Sequence, residues 1–367
     1  MRRLERIVLG MLLAAAAAAA SAAEVRLGEL LGETDTAGFL RAETPRPFRF
    51  PDDHGPHPRY RSEWWYLTAS LESASGEAFG VQFTLFRQAL RPAPVFESPW
   101  DASQVYLAHL AITDVAGGRH LEAERLARAH PRLAGVEAAP FRAHLDGWEL
   151  AADRPDLQAL TLSGTAERFA VRLRLNPVKP VVLQGNDGLS PKGPGQASYY
   201  YSIPRLAVTG EVRVDGRSRA VTGRAWLDRE WSTSVLGEQQ SGWDWFALQL
   251  DDGADVMMFR LRNDTGLRDP YDQGLWVDPD GLGHPLRVPD FRLEPLRYWQ
   301  DPDGVRWPVA WKASVMTPQG PRRFQIHAAL DDQRMDTLIR YWEGMVRVVD
   351  DDGRRIGTGY MELTGYD

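Results

Sequence analysis

The chain has no cysteine among its 367 residues. That excludes disulfide staples, thiolate nucleophiles, zinc–thiolate sites and a lipid on an N-terminal cysteine. A basic surplus is also missing, since 43 Lys+Arg stand against 50 Asp+Glu, a net charge of −7. Phosphate backbones are bound by basic faces, so no nucleic-acid partner is expected. There is no Gly-x-Ser-x-Gly elbow and no His-Glu-x-x-His, and the eight histidines are scattered, which leaves hydrolysis unsupported. Past the N-terminus, no apolar run reaches the roughly 18 residues of a membrane span. Helical patterning is scarce as well. Residues 119–129 (RHLEAERLARA) have helical propensity and are expected to form a short helix that Pro131 ends.

What remains is a globular composition long enough for about two domains of roughly 150 residues each. Its N-terminus reads as an address. Arg2, Arg3 and Arg6 form a positive region, residues 7–20 an apolar one, and Ala20-Ser21-Ala22 a small-residue cleavage site. This is the layout of a secretory signal peptide spanning 1–23, and it predicts a periplasmic or secreted protein. Residues 24–60 are rich in Pro, Gly and His and read as an irregular, flexible leader. His54 and His57 lie within it, but no further ligands cluster nearby, so no metal site is expected.

From Glu63 onward, short β-branched and aromatic runs alternate and end at Gly, Pro, Asn or Asp, as in residues 79–86, 105–112 and 169–175. Such spacing predicts an all-β sandwich or barrel. A weak internal repeat is visible. Glu63-Trp64-Trp65-Tyr66 and Trp243-Asp244-Trp245-Phe246 each open a hairpin. The closing strands, 222–227 (TGRAWL) and 358–363 (TGYMEL), are also alike. The repeat predicts two related units, 61–236 and 237–367.

Tryptophan is the surplus: 13 Trp equal the 13 Phe and exceed the 11 Tyr. Side chains alternate across a strand, so Trp243 and Trp245 share a face with Asp244 opposite. In a barrel such indoles either plug the base or line a pocket for a lipophilic molecule. Between residues 226 and 245, Asp228, Glu230 and Asp244 crowd among four Trp. Carboxyls in apolar surroundings have raised pKa values, so these three are the candidate acids. Trp231, Trp243 and Trp245 are candidates to face a cation. Glu63, Trp64, Trp65, Tyr66, His109 and Tyr200 complete the expected ligand-binding set. A Gly-rich loop at 179–193 lacks phosphate-binding patterns and reads as a connection.

Several segments are similar to the family that groups AttH-type secreted proteins with carotenoid 1,2-hydratases. They are residues 60–66 (YRSEWWY), 80–87 (GVQFTLFR), 108–114 (AHLAITD), 182–185 (VLQG), 198–205 (SYYYSIPR), 225–231, 242–246 and 341–344 (YWEG). The resemblance runs from about residue 60 to the C-terminus. It implies two tandem lipocalin-like antiparallel β-barrels, a lipophilic ligand and no cofactor. In the hydratases, chemistry is attributed to a His-x-Trp and a later Tyr-x-Asp element. Here the first falls on Arg229-Glu230-Trp231, and the second near Val256-Met257-Met258, where no acid stands.

Two functions follow. An exported barrel binds a lipid or isoprenoid in its aromatic interior, with transient contact to a membrane or exporter. Alternatively, a protonated carboxyl adds H⁺ to an isoprenoid double bond, indoles stabilise the cation, and water adds.

Overall fold

Strand alternation builds the molecule. In β1 (Ser62–Ser73), Trp65, Leu67, Ala69 and Leu71 point into one apolar cluster, while Trp64 and Tyr66 point the other way. The computed structural model describes residues 36–92, 103–234, 236–237, 239–263 and 268–366; the expected signal peptide lies outside the described residues. After β1 come β2 (Ala78–Ala89), β3 (Gln104–Asp114), β4 (Arg119–Arg128), β5 (Ala134–Ala138), β6 (Phe141–Leu145) and β7 (Trp148–Ala152). The first half continues through β8 (Leu160–Thr165), β9 (Phe169–Pro177), β10 (Val182–Leu183), β11 (Leu189–Gly193), β12 (Gln196–Val214) and β13 (Arg217–Ser232). The second half holds β14 (Gln240–Leu250), β15 (Asp255–Asn263), β16 (Gln273–Val277), β17 (Gly283–Leu286) and β18 (Phe291–Gln300). It ends with β19 (Arg306–Thr317), β20 (Gly320–Ala328), β21 (Arg334–Asp336), β22 (Arg340–Val349) and β23 (Arg355–Thr364).

All pairings are antiparallel and fall into two sheets. One runs β4-β3-β2-β1-β13-β12-β9-β8-β7-β6-β5, the other β17-β16-β15-β14-β23-β22-β20-β19-β18. The first sheet curls until β6 touches β2, β3 and β4. Arg125 helps to tie the seam, with its guanidinium 4.3 Å from the Trp148 ring. In each half the first strand lies between the second strand and the last: β1 pairs with β2 and β13, and β14 with β15 and β23. The expectation of an all-β molecule with two tandem lipocalin-like barrels therefore holds. Among the described residues no helix is long and apolar enough to cross a membrane.

Two expectations are corrected. Residues 119–128 form strand β4, paired residue for residue with β3 from Val105↔Arg128 to Asp114↔Arg119. Propensity is a weak prior. Pairing with β3 satisfies the backbone, and Leu121, Ala123 and Ala127 pack on the core. The leader, read as flexible, is packed across the mouth of the first barrel from residue 36 onward. It carries one 3₁₀ turn, Asp52–His54. Ala42 and Phe48 join Tyr199, Tyr201 and Trp231 in an aromatic cluster, and the His57 ring stacks on Trp231 at 3.8 Å.

Both barrels are filled. Trp65 and Trp148 help fill the first core, and Trp276, Trp307, Trp311 and Trp342 the second. The aromatic-lined pocket expected inside a barrel lies instead between the barrels, while a more polar cleft opens among Arg260, Arg262, Phe291 and Leu293 of the second one. The aromatic-lined space is where the outward faces of the two sheets meet.

Candidate active site

The same alternation that fills each barrel sends the other half of the side chains outward. From the first half these are Trp64 and Tyr66 (β1), Thr84 and Phe86 (β2), His109 (β3), Lys192 (β11), Tyr200 (β12), and Asp228 and Glu230 (β13). From the second they are Trp243 and Trp245 (β14), Phe259 and Leu261 (β15), Ile339, Tyr341 (β22) and Glu362 (β23). Together they line one cavity between the barrels. It is a narrow slot: about 70 Å³ admits the centre of a water-sized sphere. By the rule of about 10–15 Å³ per water, that is room for roughly half a dozen.

The polar groups on its wall differ sharply in their partners. Asp228 accepts hydrogen bonds from the Ser202 hydroxyl (2.5 Å), Trp226 Nε1 (2.6 Å) and the Tyr200 hydroxyl (2.7 Å). Burial nevertheless pushes its carboxyl up to about 7 against those three donors. Glu362 has a single donor, Trp243 Nε1 at 3.1 Å, and burial takes it to about 8. Among the described residues neither makes an ion pair. Behind the wall, Glu343 sits opposite Glu362 across the β22–β23 ladder. It accepts the Tyr66 hydroxyl at 2.7 Å, and its Oε2 has no partner. Burial, and next the Glu362 charge, raise Glu343 well above the carboxylate range. Glu230 is different, because Lys192 Nζ lies 3.2 Å from its Oε1. That ammonium also sits 4.0 Å from the Phe259 ring centre.

A second chain of contacts enters from the β3–β4 edge. His109 is fully buried; its Nδ1 is 2.7 Å from the Tyr341 hydroxyl and its Nε2 3.0 Å from Glu124 Oε2.

Eight of the residues singled out in the sequence thus stand on the cavity wall: Trp64, Tyr66, His109, Tyr200, Asp228, Glu230, Trp243 and Trp245. Four do not, and strand parity is the reason. Asp244, offered as an acid beside Asp228, points into the second barrel; it pairs with Arg260 at 2.5 Å and accepts the Tyr366 hydroxyl at 2.7 Å. Trp65 points into the first core and donates to the His54 carbonyl at 2.9 Å. Trp231 lies in the aromatic cluster under the leader. Glu63 is locked between Arg229 (2.7 Å), Arg87 (2.8 Å) and His57 (2.7 Å). Burial would raise Glu63, but the Arg229 and Arg87 guanidiniums, with the His57 hydrogen bond, outweigh it and hold the carboxyl far below the usual range. Arg229, which replaces the His of the hydratase element, serves this network and stacks 3.9 Å from the Trp65 ring centre.

The sequence reading missed Glu362, Glu343, Tyr341, Glu124 and Lys192. Glu362 was recoverable: in TGYMEL it occupies the position that Trp226 holds in TGRAWL, and both point outward. Glu124 was hidden by the helical reading of its strand.

A model of the AttH-like family matches residues 41–366. The chain belongs to the AttH-like family. A crystal structure of a protein assigned as AttH from Nitrosomonas europaea is 34% identical, covers 90% of this chain and all of its own, and superposes with a TM-score of 0.80. Kievitone hydratase from Nectria haematococca is 14% identical, with a TM-score of 0.64 over 89% of this chain and 98% of its own. CghA crystallised with Sch210972 is 13% identical, with a TM-score of 0.53 over 93% and 98%. At that identity the last two show the shared fold alone. Among curated proteins, none matches the sequence. The AttH-like chain thus has a two-barrel fold common to proteins of differing sequence.

Proposed function

We propose that this protein adds water to a carbon–carbon double bond of a slender lipophilic molecule, an isoprenoid chain end being the best fit to the slot. The observation that carries the reading is the convergence of two carboxyls outside any ion pair, the buried Asp228 and the half-buried Glu362, on one aromatic-lined cavity. A carboxyl that keeps its proton near pH 7 is what acid-catalysed hydration requires. Glu362 is the better donor, because only one hydrogen bond would stabilise its anion. Its proton passes to the alkene carbon and leaves a tertiary carbocation. Trp64, Trp243 and Trp245, which line the same cavity, stabilise that cation through their quadrupoles. Asp228, partly ionised near neutrality, adds negative charge to the same wall. Water then forms the new C–O bond. The substrate arrives as a lipophilic partner, and an exported location suits this reading.

The test is incubation of the purified protein with acyclic prenyl alcohols and acyclic carotenoids in H₂¹⁸O, with products read by mass spectrometry. An alcohol carrying one ¹⁸O is expected, with the rate falling about 100-fold or more in Glu362→Gln. If lipids quench tryptophan fluorescence but are recovered unchanged from every incubation, the protein is a carrier and the hydration reading fails.

A further inference from the structure

The carbocation step leaves a question of base: some group must take the proton of the attacking water. Glu362 has just become an anion, but it lies on the acid side of the reaction. The His109 chain supplies a second arm. Glu124 Oε2 accepts the Leu338 backbone N–H at 3.0 Å and lies 3.0 Å from His109 Nε2. A carboxylate only accepts, so Nε2 must carry the proton in that contact. In the neutral ring Nδ1 is then bare, and the Tyr341 hydroxyl 2.7 Å away has to donate to it. With its proton committed to His109 and the Gln82 amide donating to it, Tyr341 Oη keeps one lone pair for the cavity that it lines. The ring is held in that orientation from both sides. Tyr341 stacks on it at 5.5 Å and 25°, and Phe86 meets it edge-on at 5.5 Å.

Resting on the hydration reading, we infer that Tyr341, His109 and Glu124 form a proton relay that acts as the general base of the site. The water O–H bond breaks as its oxygen bonds to the cationic carbon. That proton goes to Tyr341 Oη, and the Tyr341 proton moves to His109 Nδ1. His109 becomes an imidazolium that keeps its Nε2–H on Glu124, whose side chain is 26% exposed. Once the alcohol leaves, the Nδ1 proton returns to Tyr341 and the Tyr341 hydroxyl gives up its proton to water in the slot, from which Glu362 regains one, so both arms are reset with Nε2–H still on Glu124. Glu362 gives one proton to the alkene and the relay takes one from water and returns it, so the sum is alkene plus water giving alcohol. The two arms also come from different elements: the base arm from β3, β4 and β22, the acid from β23.

Two measurements test this, and the first needs no substrate. In protein labelled with ¹⁵N-histidine, long-range ¹H–¹⁵N spectra are expected to place His109, assigned by its loss in His109→Gln, as the neutral tautomer protonated at Nε2. Glu124→Gln should shift that proton, and Tyr341→Phe should shift Nδ1 alone. A ring protonated at Nδ1, or one indifferent to both variants, overturns the relay whether or not hydration is found. The second uses the prenyl substrate identified in H₂¹⁸O. Tyr341→Phe and Glu124→Gln are expected to lower kcat about 100-fold with KM within about twofold, at unchanged thermal midpoint. Hydration with kcat unaffected by both variants overturns the relay while leaving Glu362 as the acid.

Discussion

At the scale of single residues, burial and partner count separate carboxyls that composition treats alike. Glu63 and Asp228 are both buried, yet two guanidiniums hold Glu63 ionised while only neutral donors meet Asp228. The linkage can be signed. Asp228 titrates near 3.9 in an unfolded chain and near 7 when folded. As pH rises from about 4 the unfolded chain ionises first, so Asp228 lowers stability progressively up to about pH 7 and not further. Asp228→Asn removes that term. Urea denaturation at pH 5 and pH 8 should show the variant losing less stability over this range than the parent, by on the order of 2–4 kcal/mol. Parallel losses in both proteins would mean that Asp228 is ionised throughout. The sequence made this environment readable for Asp228, set among Trp226, Trp231 and Trp245. It misled for Asp244, because proximity along the chain ignores which side of a strand a residue faces. Glu362 has no tryptophan near it in the sequence, as its indole, Trp243, comes from another strand.

At the scale of elements, the leader and the β1–β13 pair depend on one another. Glu63 of β1 faces Trp231 of β13 in the ladder, and Arg229 reaches the Gly55 carbonyl of the leader at 2.7 Å as well as Glu63. Replacing Glu63 by Gln leaves two buried guanidiniums without their counter-charge. Loss of a buried partner costs about 3–5 kcal/mol. Glu63→Gln should therefore lower the urea midpoint by an amount of that order and expose residues 36–60 to limited proteolysis at a protease dose the parent resists. Strand existence and the hairpin openings were legible from alternation and turn residues. The course of the leader was not, because its order comes from packing on Tyr199, Tyr201 and Trp231, partners more than 130 residues away in the chain. For β4, the helical propensity of single residues was outweighed by a complete ladder to β3.

At the scale of the whole molecule, the two barrels approach each other closely at Gly80. A Cβ there would stand 2.5 Å from the Tyr360 hydroxyl and 2.9 Å from Met345 Cβ, both on the second barrel. Gly80→Val should cost about 1–3 kcal/mol by overpacking, read as a lower thermal midpoint. It should also weaken quenching of tryptophan fluorescence by prenyl alcohols, because Trp64, Trp243 and Trp245 span the joint it disturbs. A variant with parental stability and quenching would show that the barrels slide freely. Lys179 ties the halves elsewhere, donating to the Gly253 and Asp278 carbonyls at 2.7 Å and pairing with Asp255 at 2.6 Å.

Because every second residue of β1, β13, β14 and β23 holds a barrel together while its neighbours furnish the cavity, these strands tolerate two kinds of genetic change very differently. A substitution such as Trp64→Phe or Trp243→Phe alters the cavity wall and leaves the barrel cores untouched. A single-codon insertion in β13 would carry Asp228 and Glu230 inward and Leu227 and Arg229 outward, losing the barrel and the cavity wall at one stroke. Strand length is frozen, while the identity of the outward residues is free to vary. A lineage built on this arrangement can reshape its cavity by point mutation alone.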